Sequence, residues 1–157
     1  MDKRDTERMD VAQGDFVRPA TDADLNFVRG LSNKVFSVFG DYDEMVPHWI
    51  SNPECVSAVY IKDGTRPLGF VVLSLAIGEI LAIAVTPESQ RSGIGSALLH
   101  YMEFMAIHRG LKMLTLHTAQ ENEAAQAFFV KAGFEVIGDQ DNYYPKGQTA
   151  LVMSKVI

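Results

Sequence analysis

The stretch GEILAIAVTPESQRSGIGSALLHYME, Gly78 to Glu103, holds a strand, a glycine loop and a helix in immediate succession. Ile80 to Val85 is a nearly continuous apolar run, the pattern of a strand buried on both faces. Thr86-Pro87 ends it. Leu98, Leu99, Tyr101, Met102, Phe104, Met105 and Ile107 make the helix apolar on most sides, so it is expected at the centre of the fold, with Gly110 as its stop. Between strand and helix lies Gln90 to Ser96. A helix start presents unpaired backbone N–H groups and a partial positive charge, and glycines let a bulky anion approach without Cβ clashes. The loop therefore fits a pyrophosphate cradle, to which Arg91 adds a charged contact.

Three cradle types compete. A Walker loop requires Gly-Lys-Ser/Thr, and Gly95-Ser96 lacks the lysine. A dinucleotide fingerprint requires a third glycine where Leu98 stands, and an acid at the end of the next strand, where His117-Thr118 stand. The pattern Gln/Arg-x-x-Gly-x-Gly/Ala is matched by Gln90, Gly93 and Gly95. A tight turn without a ligand is the plain alternative.

Working outward, Phe16-Val17-Arg18 reads as a first strand, and Thr21 to Asp24 offers helix-capping chemistry. Leu25, Val28, Leu31 and Val35 recur at helical spacing, and Glu44 to Ile50 holds a second helix. Val56–Ile61 and Leu68–Leu75 form an antiparallel pair around Asp63-Gly64. After the central helix come a strand at Met113–Thr118, a helix at Glu123–Lys131, and strands at Phe134–Gly138 and Ala150–Ile157. The order predicts one α/β domain over 15–157 with residues 1–14 as a disordered tail.

The chain has 157 residues, a length that suits one domain. The single Cys55 excludes a disulfide framework and a cysteine-built zinc site, and no metal is expected. A net charge of −6 argues against a nucleic-acid partner and permits a cationic one. No apolar run reaches the roughly 18 residues of a membrane span, and the polar start lacks a signal core. No membrane partner is therefore expected, and a cytoplasmic enzyme or binding domain is.

The quoted run, together with TAQENEAAQAFFVKAGFEVIG from Thr118 to Gly138, resembles the GNAT superfamily of acetyl-CoA-dependent N-acetyltransferases. The final NYYPKGQTALVMSK is similar to the C-terminal hairpin of the branch that acetylates protein and peptide α-amino groups. The resemblance implies a mixed, mostly antiparallel seven-stranded sheet with about four helices, its fourth and fifth strands splayed. It implies acetyl-CoA as cosubstrate. The backbone of Ile83, Ala84 and Val85 would pair with pantetheine, and the Val85 N–H would meet the thioester oxygen as it becomes an oxyanion. Gln90, Arg91, Ser92, Gly93, Ile94, Gly95 and Ser96 would hold the pyrophosphate. Asn122 would touch the pantetheine arm or simply cap the last helix. Phe129 stands where many relatives carry a tyrosine proton donor, and is expected, with Phe128, to pack core and coenzyme.

Attack on a thioester requires a neutral amine, and an α-amino group has a pKa near 8. Glu79, before the apolar strand, is the first candidate base, against a plain solvated carboxylate. His117 is the second, against a half-buried histidine, and an imidazole suits proton acceptance near neutral pH. Tyr143 or Tyr144 would replace the missing donor, Tyr144 being the one carried as a catalytic candidate. Asp41, Asp43 and Glu44, with the two tyrosines, suggest an acceptor site for an amine-bearing small molecule or a peptide N-terminus. A non-catalytic acetyl-CoA sensor and a domain for another nucleotide are the alternatives. The edge of the last strand offers a route to a homodimer.

Overall fold

The computed structural model describes residues 8–157. In chain order its elements are β1 (Met9–Ala12), β2 (Asp15–Pro19), α1 (Leu25–Phe36), α2 (Tyr42–Ile50), β3 (Cys55–Lys62), β4 (Arg66–Ser74), β5 (Glu79–Val85), α3 (Ile94–His108), β6 (Met113–Ala119), α4 (Glu123–Lys131), β7 (Glu135–Gln140) and β8 (Ala150–Val156), with short 3-10 turns at Asp22–Asp24 and Pro87–Ser89. The strands form one eight-stranded sheet in the order β1-β2-β3-β4-β5-β6-β8-β7. Only β5 and β6 run parallel. The mixed, mostly antiparallel sheet and the four α-helices are as expected, with one strand more.

That strand is β1. It overturns the expected tail at Met9–Ala12, which pairs with β2 through Met9↔Val17 and Asp10↔Phe16; the first seven residues of that tail lie outside the described residues. A polar edge strand shows no alternating pattern because one apolar contact suffices, and here Met9 packs on the core. Asp15 anchors the hairpin, accepting from the Tyr60 hydroxyl at 2.8 Å and from the Asp63 N–H at 3.0 Å. The last strand has no free edge either. β8 lies between β6 and β7, and β7 forms the rim. The apolar β8 buries Ala150 and Met153 completely, which suits an interior strand, whereas all six residues of β7 are exposed.

Two apolar clusters flank the sheet. On one face Leu98, Leu99, Tyr101 and Met102 of α3 and Phe129 of α4 meet Val71, Leu73, Leu116 and Met153. On the other, Val28 and Leu31 of α1 and Val46 of α2 meet Val59, Phe70, Val72, Ala82 and Ala84. Each large side chain so buried contributes about 1.5–3 kcal/mol. The entry to α1 is tied by Asp24, which accepts from the Thr21 N–H at 2.8 Å and pairs with Arg18 at 2.8 Å. No helix among the described residues is long and apolar enough to cross a membrane.

The site depends on one local defect. β5 and β6 pair only at Glu79↔Thr115 and Ile80↔Leu116, then part. On its other side β5 carries a bulge: Leu73 faces Ile80 and Val72 faces Ala82, so Leu81 has no opposite residue. An extra residue bends its strand. The splay expected from the resemblance thus has a cause within β5.

Candidate functional site

The gap between β5 and β6 is lined by unshared main chain. The Thr86 N–H donates to the Leu68 carbonyl at 2.8 Å on the β4 side. Successive residues of a strand turn their amides to opposite edges, so the N–H and carbonyl of Val85 face the gap. The Val85 carbonyl accepts from Gln90 Nε2 at 3.2 Å, which ties the glycine loop back to the strand. The Ser92 hydroxyl donates to the Ser89 carbonyl. Arg91 at φ 64° and Gly93 at φ 87° bring the chain sharply round into α3. A left-handed residue other than glycine costs about 1–2 kcal/mol, and Arg91 bears that cost here.

The Ala97 N–H makes the first helical bond, to Gly93 at 3.0 Å. The amides of Ile94, Gly95 and Ser96 therefore have no acceptor within the helix. A Cβ on Gly95 would stand 3.2 Å from Phe128 Cζ, so the ring packs this close to the start of α3 only because glycine is there. Open amides, the helix dipole and an unpaired strand edge fit a diphosphate followed by an amide-bearing arm. The Asn122 side chain accepts from the Ala125 N–H at 3.1 Å and caps α4. The structure splits the phenylalanine pair: Phe129 is buried against Phe134, and Phe128 covers Gly95. The ring at the loop is therefore Phe128, while Phe129 belongs to the core.

The two candidate bases meet. Glu79 and His117 stand where β5 and β6 separate, on the face that carries α1 and α2, and His117 Nδ1 is hydrogen-bonded to the Glu79 carboxylate. Glu79 is only 9 % exposed, and His117 is half-buried. The Tyr143 ring stacks on the imidazole at 4.1 Å and 3°. Gln140 Oε1 lies 3.3 Å from His117 Nε2. Burial and the nearby Glu79 charge push the Tyr143 phenol up to about 12, so it stays protonated at neutral pH.

Beside this group two loops are clasped together. Lys146 donates its N–H to Phe39 O at 3.2 Å and its Nζ to Ser37 O at 2.8 Å. Gln148 Nε2 donates to Val38 O at 2.8 Å. A Cβ on Gly40 would lie 2.7 Å from Pro145 Cγ. Tyr144 packs here, 4.8 Å from Phe39 and 6.5 Å from Tyr42, and burial raises its phenol strongly. It is part of the aromatic wall, and Tyr143 is the tyrosine on the histidine. Asp43 and Glu44 occupy the first turn of α2, where negative charge favours the helix; that structural role accounts for them. Sequence reasoning missed Gln140, which no motif marks, and the clasp, whose halves are over a hundred residues apart.

Comparison with known proteins bears on this arrangement. The model of the acetyltransferase (GNAT) family matches residues 26–134. An uncharacterised N-acetyltransferase of Methanocaldococcus jannaschii is 26% identical over 142 residues, covering 88% of this chain and 90% of that protein. The ribosomal protein bS18-alanine N-acetyltransferase of Escherichia coli is 35% identical over 78 residues, 48% of this chain and 53% of that relative. The crystal structure of the Escherichia coli ribosomal-protein-S18-alanine N-acetyltransferase superposes with a TM-score of 0.79 at 23% identity, over 91% of this chain and 94% of that one, which shows the shared fold. The family match takes in the parted strands, the glycine loop, Glu79 and His117 together, and the chain belongs to the GNAT acetyltransferases, enzymes that move acetyl groups to amines.

Proposed function

We propose that this enzyme transfers the acetyl group of acetyl-CoA to the primary amine of a peptide N-terminus or of a small molecule, by direct attack through a tetrahedral intermediate. The observation that carries this reading is the Glu79–His117 pair at the point where β5 and β6 part. The thioester supplies an activated acyl carbon. The amides of Ile94, Gly95 and Ser96 bind the diphosphate, with Gln90, Arg91 and Ser92 shaping the loop and Asn122 at the pantetheine side. Ile83, Ala84 and Val85 align the arm, and the Val85 N–H donates to the developing oxyanion. His117 Nε2 accepts the proton of the attacking amine, while Glu79 fixes the ring and stabilises the imidazolium.

Phe129 in place of a hydroxyl is tolerable on energetic grounds. A thiol with an ordinary pKa near 8.5 leaves as a thiolate without an obligatory acid. Tyr143, protonated and stacked on His117, is better situated than Tyr144 to return a proton. The clasped loops and aromatic rings bound the acceptor side, and the buried Glu79 charge favours a cation there. The test is thiol release from acetyl-CoA over a panel of N-terminal peptides and small amines. Turnover with at least one class is expected. Tight acetyl-CoA binding without turnover on any acceptor supports the sensor reading that Phe129 suggests. Preference for ATP or NAD over CoA in calorimetry sinks both.

A further inference from the structure

We infer that Gln140 is a positioning residue that governs the working nitrogen of His117; this rests on the reading that His117 accepts the amine's proton. The imidazole has two nitrogens. Nδ1 is committed to Glu79, so Nε2 alone can exchange a proton with a substrate. Its neighbour is Gln140, whose Oε1 lies 3.3 Å away. Gln140 ends the rim strand β7 opposite Ala150 of β8, and His117 of β6 pairs with Val152 on the other side of β8. The glutamine therefore reaches over an intervening strand to touch the ring.

The chemistry of an amide suits that place. Its carbonyl oxygen accepts from Nε2–H, the imidazolium form. A half-turn about Cγ–Cδ presents the NH2 to the lone pair of the neutral form. Gln140 thus partners the ring in both protonation states without adding charge. It also occupies the in-plane position that an incoming amine must take, and its side chain is exposed and free to yield. The titratable groups facing the ring are Glu79 from β5 and Tyr143 from the β7–β8 loop, with Tyr144 and Tyr42 of α2 behind them. Among the described residues no lysine or arginine pairs with Glu79, so a charge placed at position 140 acts on the ring directly.

The experiment compares wild type, Gln140→Glu and Gln140→Leu by nitrogen-15 NMR titration of the imidazole and by kcat/KM for the best acceptor across pH. Glutamate is nearly isosteric, and the melting temperature verifies the fold. A second carboxylate favours the imidazolium, so Gln140→Glu moves the ring titration and the acid limb of kcat/KM upward by about one pH unit or more. That is a roughly tenfold loss below the limb. Gln140→Leu removes both bonds, but the one to the imidazolium is charge-assisted and the stronger, so both move downward. An imidazole titration identical in all three proteins overturns the inference. A ring titration that moves while the kinetic limb stays fixed overturns instead the assignment of His117 as the base.

Discussion

His117 and Glu79 lie two positions out of register on neighbouring parallel strands: Glu79 pairs with Thr115, and His117 follows on the same face. That offset lets a strand-end carboxylate meet an imidazole side-on. Removing the carboxylate frees the ring to change tautomer and leaves the imidazolium unsupported. Glu79→Gln is expected to lower turnover by roughly 100-fold near pH 7. The deficit shrinks near pH 9, where solvent deprotonates the amine, and acetyl-CoA affinity stays unchanged. Because the two act as one unit, Glu79→Gln with His117→Ala should be little worse than the more damaging single change. Multiplicative losses in the double mutant would mean that the residues work independently.

The fold was legible because its deciding signals are local. An apolar run, a glycine loop and a helix apolar on most sides lie within Gly78–Glu103, and each has its own physical signature. The missing strand β1 is held by backbone pairing, which leaves little mark on side chains. The position of β8 inside the sheet is a matter of topology, and no residue pattern distinguishes a hairpin strand that inserts from one that adds to the rim. The same limit hid the pairing of Glu79 with His117. Each was recognisable alone, but the register that unites them, Glu79 opposite Thr115, is a pairing between strands distant in sequence that no local pattern marks.

Gly95 offers a test of the cradle. A methyl group there would lie 3.2 Å from Phe128 Cζ and 3.8 Å from Val85 Cγ2, and would push the ring away from the start of α3. Gly95→Ala is expected to weaken acetyl-CoA binding by about tenfold, about 1.4 kcal/mol, with a small change in melting temperature. Ser96→Ala keeps the amide and should change affinity less than twofold. Calorimetry of the folded proteins decides, and equal affinities for wild type and Gly95→Ala would place the coenzyme elsewhere.

The loop clasp predicts a split between the two substrates. Gly40 lets Pro145 approach to a distance that any Cβ forbids. Gly40→Val must push the Tyr143–Gln148 segment outward and strain the bonds of Lys146 and Gln148 to residues 37–39. The KM for the amine should rise several-fold while the KM for acetyl-CoA is unaffected, since the cradle lies on other elements. Parallel changes in both constants would show that the clasp supports the whole fold and not the acceptor side alone.

The aromatic wall makes a claim about alkaline pH. Tyr143 is pushed up to about 12 by burial and the Glu79 charge, and Tyr60 to about 12 by burial and its bond to Asp15. Burial also raises Tyr42 and Tyr144. In the unfolded chain each ionises near 10. The fold prefers the protonated phenol, so its advantage is complete below pH 10 and is lost as pH climbs from 10 to about 12, while the unfolded state gains by ionising. Tyrosinate absorbance at 295 nm should therefore lag behind free tyrosine and rise together with loss of the circular dichroism of the fold. Tyr143→Phe removes one such group and should lessen the decline over that window. If the absorbance were largely developed by about pH 10.5 with the fold intact, these rings would be open to solvent, and the aromatic wall beside His117 would not exist as described.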